Sequence, residues 1–209
     1  MKVIKAGYEI ITPINGRVIL KRIEQVARTC YKSEDKITEG SAEKMVAALI
    51  RRGHEAMLEH CSFTVKFIVD RGVSHELVRH RLASFSQEST RYCNYGKEGF
   101  GGEITVIEPL FLAENTTGYS LWYDACLNSE SAYFGLLNFG CSPQEARSVL
   151  PNSLKTEVCM TANIREWRHF FKLRAADATG SAHPQMKEVT VPLLKELKTL
   201  IPVVFDDIG

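Results

Sequence analysis

Ser62-Phe63-Thr64-Val65-Lys66-Phe67-Ile68-Val69 alternates strictly. Phe63, Val65, Phe67 and Val69 point one way, and Ser62, Thr64 and Lys66 the other, which is the period of a half-buried strand. Such a strand needs helices or a second layer on its apolar face. Upstream, Met45, Val46, Leu49 and Ile50 recur at helical spacing behind Ser41, so a helix is expected over Ser41 to about His54. Downstream, Ser74 is expected to cap a helix carrying Leu77, Val78 and Leu82. Residues 91–102 read as loop and Glu103 to Ile107 as a strand.

The second half continues the pattern. A long helix is expected over Thr117 to about Asn138, with Leu121, Trp122, Ala125, Tyr133, Leu136 and Leu137 as its apolar stripe. Ser142-Pro143-Gln144-Glu145 is a helix start, with a cap, a proline in the first turn and a glutamate three residues on. That helix should stop before Pro151. Leu154 to Thr161 reads as a strand. A helix is then expected over Ile164 to about Ala175 with Trp167, Phe170 and Phe171 inward, and a last one over His183 to Leu200. Helices in blocks around a few strands, without βαβ alternation, predict an α+β fold. No linker divides the chain, so residues 1–209 read as a single domain.

Composition bounds the function. The 209 residues carry 26 basic and 25 acidic side chains, a net charge of +1, so no global field draws nucleic acid or a membrane. No apolar run of transmembrane length and no signal-peptide core are present, and a cytoplasmic protein with reduced thiols is expected. The six cysteines lie far apart without a C-x-x-C pair, which argues against a zinc site; no metal is expected. Nucleotide-cradling G-x-G-x-x-G and P-loop patterns are absent. His54 and His60 are six apart, so they cannot share a metalloprotease helix face.

The densest polar stretch is Arg79-His80-Arg81-Leu82-Ala83-Ser84-Phe85-Ser86-Gln87-Glu88-Ser89-Thr90-Arg91. Guanidinium forks and hydroxyls suit phosphate oxygens. If the helix ran through Arg79 and Arg81, they would point about 200° apart. Two anions would then flank the element, or one arginine would face a neighbouring subunit. Glu76 and Glu88 leave a second reading open, a solvated face of ion pairs. A further set, Arg165, Arg168, His169, Lys172 and Arg174, shares the helix of Trp167 and Phe170, with Arg165 and His169 on one face. Arg174 near the helix end also suits the dipole, and Arg147 reads as a surface arginine.

Arg79-His80-Arg81, seven residues, then Ser89, with Arg91 two later, resembles the signature of the flavin-dependent thymidylate synthases. Four more stretches resemble that family in the same order: Gly53-His54-Glu55 with Glu59-His60-Cys61-Ser62-Phe63, Glu145 to Pro151, Asn163-Ile164-Arg165, and Leu173-Arg174-Ala175. The resemblance implies reductive methylation of deoxyuridylate (dUMP) to deoxythymidylate (dTMP). Methylenetetrahydrofolate would supply the carbon, FAD carry the hydride and NADPH reduce the flavin. It also implies a compact α+β unit with a small, mostly antiparallel sheet flanked by helices, assembled as a homotetramer with active sites shared between subunits.

By the same resemblance, Arg79 lies between flavin and nucleotide. His80, Arg81, Gln87, Asn163, Arg165 and His169 contact FAD. Glu76, Gln87, Glu88, Ser89 and Arg91 meet dUMP, Arg147 reaches it from another subunit, and Arg174 sits against the uracil as the catalytic residue. Gln87 stands where some members have glutamate, Ala56 where some have a hydroxyl, and Cys30 where a serine occurs. The stretch from Ala176 to His183 is longer than in compact members, which bears on Gln185. The reading from a different class is a non-catalytic nucleotide-binding module built on the 79–91 cluster.

Overall fold

The structure, a computed structural model, describes residues 1–96 and 101–209. Positions 97–100, part of the stretch read as loop, lie outside the described residues. The elements are β1 (Lys2–Ile4), β2 (Gly7–Ile10), α1 (Gly16–Thr29), α2 (Ser41–Arg51), β3 (Ser62–Asp70), α3 (Arg71–Leu77), β4 (Ala83–Gln87), β5 (Thr105–Ile107), α4 (Thr117–Asn138), α5 (Pro143–Ala146), β6 (Lys155–Asn163), α6 (Ile164–Arg174) and α7 (Pro184–Leu200). This is the expected α+β class, a small and mostly antiparallel sheet flanked by helices. A four-stranded sheet has the order β2-β3-β6-β4, and a separate pair, β1 with β5, is parallel with Val3 opposite Val106. No helix among the described residues is long and apolar enough to cross a membrane.

The chain forms two compact units. The first comprises Met1–Gly7, Phe67–Arg79 and Ser86–Cys159, the second Tyr8–Lys66, His80–Phe85 and Met160–Gly209. In the first unit, Tyr95, Ile104, Val106, Cys126, Tyr133, Ala146 and Leu154 form a buried cluster beside α4. The expected α4 stripe is corrected at Leu121, which is 67% exposed, and at Ala125, which is exposed as well. The inward line runs through Trp122, Cys126, Glu130 and Tyr133, at spacings of three and four. Glu130 belongs there because its carboxylate accepts the Ile104 N–H at 2.9 Å, and sequence hydropathy does not see that bond.

Between β3 and β4 the expected helix is shorter and starts earlier. Asp70, not Ser74, is the cap of α3, accepting the Val73 N–H at 2.7 Å. Ser74 is buried and donates its hydroxyl to the Arg71 carbonyl. The helix ends at Leu77, so Arg79 and Arg81 stand in a turn and are not related by helical rotation. The polar run then becomes β4, with Ala83, Phe85 and Gln87 half-buried and Ser84 and Ser86 exposed. Ser41 is likewise the first residue of α2 rather than its cap; Gly40, at φ +73°, takes that place.

The second unit holds α1, α2, α6 and α7. Phe63 stacks on Trp167 at 4.8 Å, and Trp167, Phe170, Phe171 and Phe205 continue the aromatic cluster through contacts of 5.3–5.7 Å. Gly16, at the start of α1, lies so close to the end of α7 that a Cβ would stand 2.2 Å from the Leu200 carbonyl oxygen. Helix α6 also carries Arg168, 1% exposed. Its guanidinium donates to Glu55 at 3.1 and 3.2 Å, to both Asp207 oxygens at 2.7 and 2.8 Å, and to the Val204 carbonyl. Burial opposes its charge, yet the Asp207 and Glu55 bonds outweigh that and raise its pKa.

Removing one member of such a buried network leaves the others uncompensated, at a cost of about 3–5 kcal/mol. Asp207 is partly exposed, so Arg168→Ala is expected at the lower end, about 3 kcal/mol by urea unfolding. A loss under about 1 kcal/mol would show that the network contributes little.

Candidate active site

Seven of the expected site residues fall in the first unit. Glu76 lies on α3 and is half-buried; Arg79 follows the helix end, exposed, with its N–H on the Glu76 carbonyl. No carboxylate partners Arg79 among the described residues. Gln87, closing β4, donates its amide to Ser74 Oγ at 3.0 Å and Thr156 Oγ1 at 3.2 Å. Glu88 accepts from Lys155 Nζ at 2.9 Å and Tyr95 OH at 3.2 Å, so it does not pair with the arginines as the solvated-face reading allowed. Lys155 also reaches Glu157; burial works against its charge, but the two carboxylates raise its pKa.

Ser89 begins a tight turn. Its carbonyl accepts the N–H groups of Tyr92 and Cys93, and its hydroxyl accepts the Arg91 N–H at 3.3 Å. Arg91 is exposed with its guanidinium 5.4 Å above the Tyr92 ring. Arg147, just past α5, donates to Thr90 Oγ1 at 3.2 Å within the same chain. An open cleft of about 330 Å³ runs here, lined by Arg71, His75, Thr90, Arg147 and Leu154 among others. Arg71 and His75 escaped the sequence reading. Their signal was available: they stand four apart, one helical face of α3.

Six residues fall in the second unit. Asn163 caps α6, its side-chain oxygen accepting the Glu166 N–H at 2.9 Å. Arg165 and His169 lie on the shared face their spacing predicted, both are exposed, and Arg165 pairs with Glu59 at 2.6 Å. Arg81 is exposed and has no carboxylate partner among the described residues. A separate, largely apolar cleft of about 470 Å³ is lined by Cys30, Tyr31, Met45, Leu49, His54 and Ala56 among others. Cys30 and Ala56, two of the departures noted from sequence, therefore share one wall system.

His80 is the buried centre of this group. Its Nδ1 stands 3.3 Å from Glu166 Oε1, and its Nε2 accepts Arg174 Nε–H at 3.2 Å. Phe170 packs against the ring edge-to-face at 4.9 Å, and His169 lies 6.1 Å away. Burial, then the Arg174 and His169 charges, lowers the His80 pKa from 6.5 to about 4. Burial raises the Glu166 pKa. Thr190 Oγ1 donates to the Arg174 carbonyl at 2.7 Å, so Arg174 is held at backbone and side chain. His80, Glu166 and His169 place one ligand atom each within 4.8 Å, but the Arg174 donor already occupies His80 Nε2.

The family model described as thymidylate synthase complementing protein matches residues 19–203. A flavin-dependent thymidylate synthase of Geobacter sulfurreducens is 32% identical over 190 residues, 88% of this chain and 79% of the relative. The chain belongs to the flavin-dependent thymidylate synthases. Another member, from Corynebacterium glutamicum, is 34% identical over 97% of this chain and 84% of its own length. Among solved structures, a UMP/dUMP methylase from Streptomyces cacaoi, bound with 5-Br dUMP, superposes with a TM-score of 0.81 at 25% identity, covering 99% of this chain and 96% of that one. The thymidylate synthase signature thus brackets the buried imidazole: Arg79 and Arg81 stay exposed while His80 turns inward.

The lowered His80 pKa has a stability consequence. Between about pH 4 and 6.5 the unfolded chain takes up a proton on this histidine that the folded chain refuses. Stability from this group is complete above pH 6.5 and falls as pH drops toward 4, by an amount on the order of a few kcal/mol. Urea unfolding across that window should show a shallower pH slope in His80→Gln than in the parent chain. Equal slopes would mean that His80 titrates normally.

Proposed function

We infer that this chain methylates dUMP to dTMP, with methylenetetrahydrofolate as carbon donor, FAD as hydride carrier and NADPH as reductant. The observation that carries the reading is the complete signature, Arg79-His80-Arg81 through Ser89, in a member of the family whose imidazole is tied to Arg174. The solved relative, a UMP/dUMP methylase, supports the pyrimidine nucleotide as substrate.

The donor set suits both ligands on chemistry. The turn at Ser89, with Arg91 exposed and Arg147, Arg71 and His75 lining the cleft beside Thr90, offers hydroxyl, amide and guanidinium donors to a phosphate. Arg147 is proposed to serve the nucleotide alongside Ser89 and Arg91, with Glu76, Gln87 and Glu88 framing the turn. A flavin dinucleotide needs an apolar wall for its rings and cations for its diphosphate. The cleft at Cys30, His54 and Ala56 and the exposed guanidinium of Arg81 fit that requirement. Arg79, His80, Arg81, Gln87, Asn163, Arg165 and His169 would hold it. Bound FAD, once reduced by NADPH, supplies the hydride.

The chain's own part is electrostatic. Uracil carbon 5 is a weak nucleophile while the ring is neutral. A fixed guanidinium at the pyrimidine's N3–O4 edge stabilises negative charge as it develops there. Arg174 suits this because it stays protonated, and its Nε bond to His80 and its carbonyl bond to Thr190 limit its movement. Among the described residues no side-chain base bonds the Ser89 hydroxyl, which accepts the Arg91 N–H, and Ser89 is read as binding rather than attacking.

The reading extends to a cytoplasmic homotetramer in which residues 1–209 act as one domain. Leu82, Tyr92, Leu121 and Phe139 are between 67% and 88% exposed, apolar surface that neighbouring subunits would cover. Six cysteines without disulfides support a reducing compartment.

Purified protein loaded with FAD should keep a visible flavin band that shifts when dUMP is added. Arg174→Ala should keep the band and lose about 10²–10³ in kcat. Full activity in that variant would remove Arg174 from the chemistry. Folded protein that binds dUMP but never retains flavin would be a nucleotide-binding module instead.

A further inference from the structure

The second unit contains a chain of three charged or polar groups, Glu166, His80 and Arg174, whose bonds fix one another's protonation. An arginine Nε–H can only donate. Its partner at 3.2 Å, His80 Nε2, must therefore be the unprotonated nitrogen. A neutral imidazole with Nε2 bare carries its proton on Nδ1, and that N–H points at Glu166 Oε1, 3.3 Å away. The ring is packed edge-on by Phe170 and is 5% exposed, so it cannot rotate to exchange its nitrogens without disturbing the core. Glu166 is itself fixed, because its backbone N–H donates to the Asn163 cap in the first turn of α6.

We propose that Glu166 is a positioning residue: it holds His80 in the Nδ1–H tautomer so that Nε2 receives Arg174 and sets the guanidinium for the pyrimidine. The inference rests on the role given to Arg174 above, but the tautomer itself does not. Without an acceptor at Nδ1, imidazole reverts toward the Nε2–H form it favours in water. Two donors, Nε2–H and Arg174 Nε–H, would then face each other, and the guanidinium would lose its rest. Glu166 need only accept, so an amide oxygen in its place should serve.

Nitrogen-15 spectra of the ligand-free protein near pH 7 test the tautomer directly. The expected result is a protonated Nδ1 and a bare Nε2 at His80; an Nε2–H or doubly protonated ring overturns the proposal. Glu166→Leu should mix the tautomers and lower kcat about tenfold or more, as loss of an orienting partner does at ligand histidines, with KM for dUMP within about threefold. Glu166→Gln should restore both the tautomer and most of kcat. Parent-like tautomer and kcat in Glu166→Leu, or a Glu166→Gln as slow as Glu166→Leu, overturns the proposal. Should Glu166→Leu fail to fold, the parent spectrum and Glu166→Gln still decide. A protein with the expected tautomer but no methylation of dUMP would instead sink the proposed reaction and leave the tautomer standing.

Discussion

The guanidinium of Arg168 is taken out of water, where an uncompensated charge would cost several kcal/mol. Glu55, Asp207 and the Val204 carbonyl meet all three of its nitrogens. These partners come from the turn before β3 and from the C-terminal segment, so one side chain ties both to α6. The aromatic face and this network together fix the rotation of α6. That rotation decides which way Glu166, His169 and Arg174 look.

Within α6, the buried and exposed positions divide the work. Arg168 is structural, although composition grouped it with Arg165, His169, Lys172 and Arg174. Arg165 and His169 face outward, where a ligand can reach them. Arg174, at the last turn, leans on an imidazole that burial and two neighbouring charges keep neutral. A charged histidine there would repel the guanidinium and lose the bond, so the neutrality of His80 and the placement of Arg174 are one condition. The helix cap at Asn163 carries the same constraint back to the start of α6, through Glu166.

Much of the fold was legible. The strand at Ser62, the long helix at Thr117, the start at Ser142 and the inward aromatics of α6 follow from periodicity and caps, because each is a local preference that tertiary contacts reinforce. The failures have local causes as well. Asp70 and Ser74 are both competent caps, and only packing turned the Ser74 hydroxyl inward. The alternation Ala83-Ser84-Phe85-Ser86-Gln87 was present, but its polarity hid a strand among phosphate-binding residue types. The sequence reading assigns no element to α1, Gly16–Thr29. Leu121 and Ala125 fall outside the inward stripe, and Glu130, a charged residue buried through the Ile104 N–H, falls on it, which hydropathy does not register.

The order of the signature residues, and hence the family, was determined by sequence alone, since residue identities at given spacings need no coordinates. So was the α+β class. Tertiary structure decided which of the charged groups are ligands in waiting and which are already spent. Glu88 is held by Lys155, 67 residues on, and Arg168 by Glu55 and Asp207. It also decided the proton on His80. A tautomer is set by the partners at both ring nitrogens, and here these lie 86 and 94 residues away along the chain.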